Sequence, residues 1–350
     1  MTVKRAREAA RQWMIEDASG VPGFRGAYSA GSTNWLPEEA DLPTASDLDI
    51  MVVLSDRNAA RTRHKFVYQD TLLEVSYLSD DQFESPDRIL SDYHLAPSFR
   101  TAKMLVDASG HLTPLLAAVS RDYAERKWIR LRCTNAREKI LRHLRSIHEQ
   151  GTLQDQVIAL LFAAGITAHV VLVAGLRNPT VRWRYVAVRE LLADYGLLHF
   201  HETLLELLGS ARISRERASR HLVTLTQVFD AARKVIQTPY PFASDISDCA
   251  RPMAIDGSLE QLARGNHREA MFWIAVTHSR CQQILWHDAP GSLTQSFSES
   301  YHDLVADLGM PTFAEVRRRC VEIKRVLPKV CDVAESIMAA KRPPEGGRLA

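Results

Sequence analysis

Residues Ser46 to Leu54 read SDLDIMVVL, and this stretch constrains the fold more than any other. From Leu48 to Leu54 every residue but Asp49 is apolar, as expected of a central strand buried on both faces. Side chains alternate across a strand. Asp47, Asp49, Met51 and Val53 therefore share one face, and Leu48, Ile50, Val52 and Leu54 share the other. Two carboxylates are thus placed side by side at the start of a core strand.

The flanking residues read as parts of the same sheet. Arg25 to Ala30 predicts a short strand that turns at Gly31-Ser32. Asn34 to Ala45, with two prolines and several acids, is expected to be an excursion longer than a tight loop. Arg61 to Tyr68 and Thr71 to Leu78 read as two strands around Gln69-Asp70. In the second, Leu73, Val75 and Tyr77 face one way, and Leu72, Glu74 and Ser76 the other. An unpaired buried carboxylate is costly. Glu74 therefore either lies in solvent on an edge strand or faces Asp47 and Asp49 as a third acid.

The remainder reads as helical. A first helix at 3 to 16 carries Ala6, Ala9, Ala10, Trp13 and Met14 on one stripe. After Ser79 the helical pattern returns and persists. Segments are expected at 81–94, 112–120, 124–150, 154–175, 184–192, 202–208, 214–237, 258–287, 298–307 and 312–340. The expected class is α+β: a small mixed-sheet domain over 1–115, an all-helical domain over 116–340, and a disordered tail over 341–350.

Composition excludes several classes. A net charge of +2 supplies no global field for nucleic acid or membrane. The basic residues are skewed: nine are Lys and the other 35 of the 44 are Arg. A GC-rich coding sequence accounts for that skew, although Arg forks also suit phosphate. The N-terminus has no apolar stretch of the signal-peptide kind. The most apolar segment, Val157 to Leu176, is interrupted by His169 and glycines and reads as a buried helix. Five widely spaced cysteines form no CxxC pair and sit beside no His at zinc spacing, which suits reduced thiols in the cytoplasm. His199-Phe200-His201 has a spacing that does not suit one helix face, so it is excluded as a metal site.

Gly31-Ser32 at a strand end, Ser46-Asp47-Leu48-Asp49 opening an apolar strand, and Glu74 on a later strand form one set. It resembles the nucleotidyltransferase superfamily that includes DNA polymerase beta. Within that superfamily it looks most like the small-molecule, aminoglycoside-modifying type, which has a helical C-terminal domain. The motif resemblance covers residues 25 to 78. It implies transfer of a nucleoside monophosphate, most simply AMP, from a nucleoside triphosphate to a hydroxyl of a small molecule, with two Mg²⁺ ions assisting. It implies Asp47, Asp49 and Glu74 as catalytic residues and metal ligands, with Glu74 holding the second ion or taking the acceptor's proton. Gly31, Ser32 and Ser46 would line the triphosphate.

The chain departs from that pattern in two places. Fourteen residues separate Ser32 from Asp47, a longer gap than the resemblance implies, and no basic residue follows the Gly-Ser turn. Arg132 and Lys139, on the Arg-rich helix expected at 124–150, are candidates for the missing phosphate contact; the competing reading is a solvated helix face. Glu190 or Glu269 could add a base from the helical domain, although either suits an ordinary helix acid or ion-pair partner. Trp183-Arg184-Tyr185 could stack on a base, with helix packing the simpler reading. A macromolecular acceptor, tRNA or protein, is the first alternative, and near-neutral charge argues mildly against RNA. A non-catalytic nucleotide-binding module is the second, opposed by the complete set of three acids. A homodimer is left open by the apolar helices.

Overall fold

The computed structural model describes residues 1–42, 46–55 and 64–340; the Ser32 side chain is outside this set. So are the expected strand start at Arg61 and the expected tail at 341–350. The protein is α+β, with a small mixed five-stranded sheet near the N-terminus and a large helical region after it.

The chain divides into two compact units. One comprises Met1–Leu131 and Pro239–Pro252; the other comprises Arg132–Thr238 and the described residues from Met253 onward. The expected boundary at 115/116 falls inside a helix, α4 (Leu112–Asp122). The division falls within α5 (Arg126–Arg145). The short segment 239–252, from deep in the helical sequence, belongs with the sheet.

The sheet unit opens with α1 (Val3–Glu16). The Thr2 side chain caps it by accepting from the Arg5 amide. Its buried residues, Val3, Ala6, Ala9, Ala10, Trp13 and Met14, recur at helical spacing on one stripe. Five strands follow: β1 (Phe24–Ala30), β2 (Leu48–Leu54), β3 (His64–Tyr68), β4 (Thr71–Ser79) and β5 (Lys103–Val106). Their spatial order is β3-β4-β2-β1-β5. β2 and β4 run parallel, and the other pairs are antiparallel.

The expected alternation in β2 is observed. Leu48, Ile50, Val52 and Leu54 pack with Leu73, Val75 and Ala27 against Ala10, Trp13 and Met14 of α1. Burying each large aliphatic contributes about 1.5–3 kcal/mol. A one-residue slip of β2 would exchange these residues for the acids on the other face, so the core fixes where the acids point. That other face is covered beside β1 by Phe83 and Phe99, which meet the Tyr28 ring edge-on at 6.1 and 5.2 Å.

Three expectations are corrected. Residues 81–94 do not form one helix. A 3₁₀ turn (Asp80–Phe83) is followed by α2 (Pro86–Ser91) and α3 (Leu95–Arg100). Ser85 caps α2 by accepting from the Arg88 amide, and the Asp92 carboxylate accepts from the His94 and Leu95 amides, so the chain is restarted twice. Lys103–Val106 is a strand where the pattern after Ser79 read as helical throughout. Four residues are too few to show a period, and pairing with β1 decides their conformation. The helix expected at 258–287 is two, α11 (Asp256–Ala263) and α12 (His267–Asp288), separated by Gly265 at φ +81°.

The helical unit is arranged about α6 (Leu153–Ala174), whose start is capped by Thr152. Its other helices are α7 (Arg184–Asp194), α8 (His199–Leu208), α9 (Arg215–Val235), α11, α12, α13 (Gly291–Asp307) and α14 (Phe313–Ala339), with the four-residue α10 (Arg251–Ala254) straddling the return from segment 239–252. Among the described residues α6 alone is long and apolar enough to cross a membrane, and 83% of that apolar window is buried within the protein. It packs against α7, α8, α12 and α14, as the core of the unit.

Candidate active site

A row of side chains crosses the sheet. Lys65 of β3 pairs with Glu74 of β4, Glu74 with Asp49 of β2, and Asp49 with Ala30 of β1. Paired residues in neighbouring strands project from the same face, so Lys65, Glu74 and Asp49 converge. Asp47, two residues before Asp49, joins them. One carboxylate oxygen from each of Asp47, Asp49 and Glu74 lies within 4.8 Å of the others. Glu74 is only 8% exposed on an interior strand, which removes the solvent-facing edge-strand reading. Asp47 and Asp49 are half-buried.

The turn after β1 is shaped to receive this cluster. Gly31 has φ +76°, which favours glycine, and a Cβ there would collide with Oδ2 of Asp49. The chain then enters a 3₁₀ turn (Ser32–Trp35) held by Asn34. Its Nδ2 donates to the carbonyls of Ser29 (2.7 Å) and Thr101 (3.0 Å), and its Oδ1 accepts from the Ser29 hydroxyl (2.8 Å). Arg7 of α1 donates to the Thr33 carbonyl at 3.0 Å. The turn is thus fixed to β1, α1 and the residue after α3.

Lys65 neutralises part of the acidic charge. Its Nζ stands 3.0 Å from Asp47 Oδ2, 2.9 Å from Glu74 Oε2 and 3.4 Å from Asp245 Oδ1. The Lys65 side chain is 6% exposed. Burial by itself would push the ammonium pKa down, but Asp47, Glu74 and Asp245 outweigh it, and the group is held above the ordinary lysine range. Asp245 comes from segment 239–252, whose 3₁₀ turn (Ala243–Asp245) packs on β3.

The donor set suits a hard divalent cation. Carboxylate oxygens are the ligands Mg²⁺ and Ca²⁺ prefer, and trans oxygens on Mg²⁺ stand roughly 4.2 Å apart. A cluster spanning at most 4.8 Å is close to that separation. Asp47, Asp49 and Glu74 are the residues that could hold such an ion.

The remaining candidates are divided between the two units. Ser46 is half-buried and directly precedes Asp47. Arg132 and Lys139 belong to the helical unit, Arg132 wholly buried and Lys139 half-buried. Glu190 is exposed on α7. Glu269 is buried and takes Arg189 at 2.7 Å, while Arg189 also donates to Asn266 at 2.9 Å, a structural ion pair. Arg184 donates to the Val181 carbonyl and lies 3.8 Å over the Phe272 ring, in keeping with packing. His201 is buried on α8.

Lys65 and Asp245 bear no motif. Lys65 is nevertheless legible from hairpin arithmetic: the two-residue turn Gln69-Asp70 pairs Tyr68 with Thr71, and counting back brings Lys65 opposite Glu74. Both turn residues have positive φ (46° and 58°), the backbone of a tight two-residue hairpin. Asp245 has no such signal, being 171 residues from Glu74 (245 − 74).

No protein-family model matches this chain, and no curated protein matches it.

Proposed function

We propose that the protein is a Mg²⁺-dependent nucleotidyltransferase that moves a nucleoside monophosphate, most simply AMP, from a nucleoside triphosphate to a hydroxyl of a small molecule such as an aminoglycoside-like antibiotic. The observation that carries this reading is the convergence of Asp47, Asp49 and Glu74 beside the Gly31 turn. The resemblance of residues 25 to 78 to nucleotidyltransferases supplies the reaction class.

Asp47, Asp49 and Glu74 would hold the ion or ions. Bound there, Mg²⁺ supplies charge neutralisation to the transferred phosphoryl group and the departing pyrophosphate. The acceptor oxygen bonds to the α-phosphorus as the bond to pyrophosphate breaks, and the hydroxyl proton passes to a carboxylate, for which Glu74 is the candidate. The absence of a side chain at Gly31 leaves room for the Asp49 carboxylate to lie against the turn. Five free cysteines support a reducing compartment, and we assign the protein to the cytoplasm on that basis.

One observation favours a non-catalytic nucleotide-binding module instead. Clustered acids repel without a cation, but here the Lys65 ammonium already supplies one. The acids can therefore persist without catalysis. Pyrophosphate release with each of the four nucleoside triphosphates, against a panel of hydroxyl-bearing antibiotics, separates the two. Mg²⁺-dependent release that disappears in Asp47→Asn and Asp49→Asn is expected. Activity retained in both variants rules the transferase site out. Nucleotide binding without release supports the second reading.

A further inference from the structure

Among the described residues four carboxylates, not three, meet at the end of the sheet, and one ammonium lies among them. Lys65 Nζ is within 3.0 Å of Asp47 and Glu74 and 3.4 Å from Asp245. An ammonium has three N–H donors, and three carboxylates of the described residues lie within reach of it. The carrier of Asp245 is itself tied to the same residue a second time: Cys249 donates through Sγ to the Lys65 carbonyl at 3.5 Å. Segment 239–252 therefore holds Lys65 by both its backbone and its head group.

We infer that Lys65 is a built-in counter-ion of the carboxylate cluster, competing with the divalent cation for Asp47 and Glu74, and that Asp245 is the positioning residue that draws the ammonium away from them. This rests on the reading of Asp47, Asp49 and Glu74 as metal ligands. An ion ligated by Asp47 and Glu74 must share their oxygens with an ammonium about 3 Å away, and two cations at such range repel. Asp245 offers Lys65 a third carboxylate that is outside the three-acid cluster. Lys65 thus keeps the acids together before metal binds and lowers the affinity with which they take it. Segment 239–252, through Asp245, sets how firmly Lys65 competes.

The test is Mn²⁺ binding to the full chain without nucleotide, by calorimetry and by the loss of the free-ion paramagnetic resonance signal. Lys65→Met retains the apolar stem and removes the charge. It is expected to tighten Mn²⁺ binding about tenfold or more and to lower the melting temperature of the metal-free protein, with added Mn²⁺ restoring it. Asp245→Asn leaves the ammonium to Asp47 and Glu74 and is expected to weaken binding about threefold or more. Unchanged or weaker binding in Lys65→Met overturns the inference and leaves the transferase reading standing. Binding that appears only in Lys65→Met supports the inference while counting against a metal-loaded wild-type site. Absence of binding in both proteins overturns both. If Lys65→Met does not fold, Asp245→Asn carries the test, and unchanged or tighter binding there overturns the inference.

Discussion

Asp49 of β2 and Glu74 of β4 are direct partners in a parallel strand pair. Adjacent strands lie about 4.8 Å apart, so two acids 25 residues apart in sequence (74 − 49) are held side by side by backbone hydrogen bonds. The core face of the same strands, Leu48, Ile50, Leu73 and Val75, locks that register. The site's geometry is in this sense set by apolar burial.

If this pair holds the ion, neutralising either member removes a ligand and leaves the fold. Asp49→Asn and Glu74→Gln should each lower metal-dependent pyrophosphate release on the order of 10²–10³-fold, the scale seen when a charge-stabilising group is deleted. Their circular dichroism should match that of the parent chain. Steady-state kinetics at saturating Mg²⁺ check it, and a loss below tenfold in both variants contradicts the assignment.

Gly31 is expected to tolerate no side chain. Gly31→Ala imposes an unfavourable φ and a collision with Asp49 Oδ2. Strain of this kind costs about 1–3 kcal/mol, and relief requires the Asp49 carboxylate to swing away from Asp47 and Glu74. Thermal denaturation should report the lower stability, and Mn²⁺ titration should report weakened binding in the same variant. Wild-type values in both measurements would show that the turn is not coupled to the acids.

Asn34→Ala removes three hydrogen bonds from a side chain that is 9% exposed. It removes the acceptor of the buried Ser29 hydroxyl and a donor to the carbonyls of Ser29 and Thr101. Unsatisfied buried groups cost about 1–3 kcal/mol each, and with partial relaxation a total loss of about 2–4 kcal/mol is expected. Urea denaturation gives the number directly, and a change within about 0.5 kcal/mol would place the turn's anchorage elsewhere.

Acid should destabilise the helical unit through buried histidine. His278 on α12 is fully buried, and burial, with a smaller contribution from His221, pushes its pKa down to about 3. The ring is thus neutral in the folded protein but takes a proton below about pH 6.5 when unfolded. Its stabilising contribution is fully present above that pH and is lost as pH falls toward 3, by up to about 1.4 kcal/mol per pH unit. His143, pushed down to about 4 by burial and by Lys139 and Arg142, acts in the same direction. Urea unfolding between pH 6.5 and 4.5 should show a shallower loss for His278→Gln than for the parent; equal slopes would remove His278 from the account.

Strands β2 and β4, the stripe of α1 and the shared face of Asp47 and Asp49 follow from local patterns, because apolar alternation and burial act within a few residues. Lys65 is a halfway case, placed opposite Glu74 by counting through a two-residue turn. The short strand β5 and the breaks at Ser85-Pro86 and Gly265 are less legible, since a four-residue strand or one cap leaves too little periodicity to read.

The sequence by itself determined that Asp47 and Asp49 share one side of a buried strand beside a glycine turn, because alternation leaves them no other face once the aliphatic residues are buried. Only the tertiary structure decided that Glu74 faces them from the neighbouring strand and that Asp245 meets Lys65 beside this cluster. Asp245 reaches it from a segment that follows α9 in sequence yet packs on β3. Contacts across so long a loop depend on the whole chain's packing, and no local pattern encodes them.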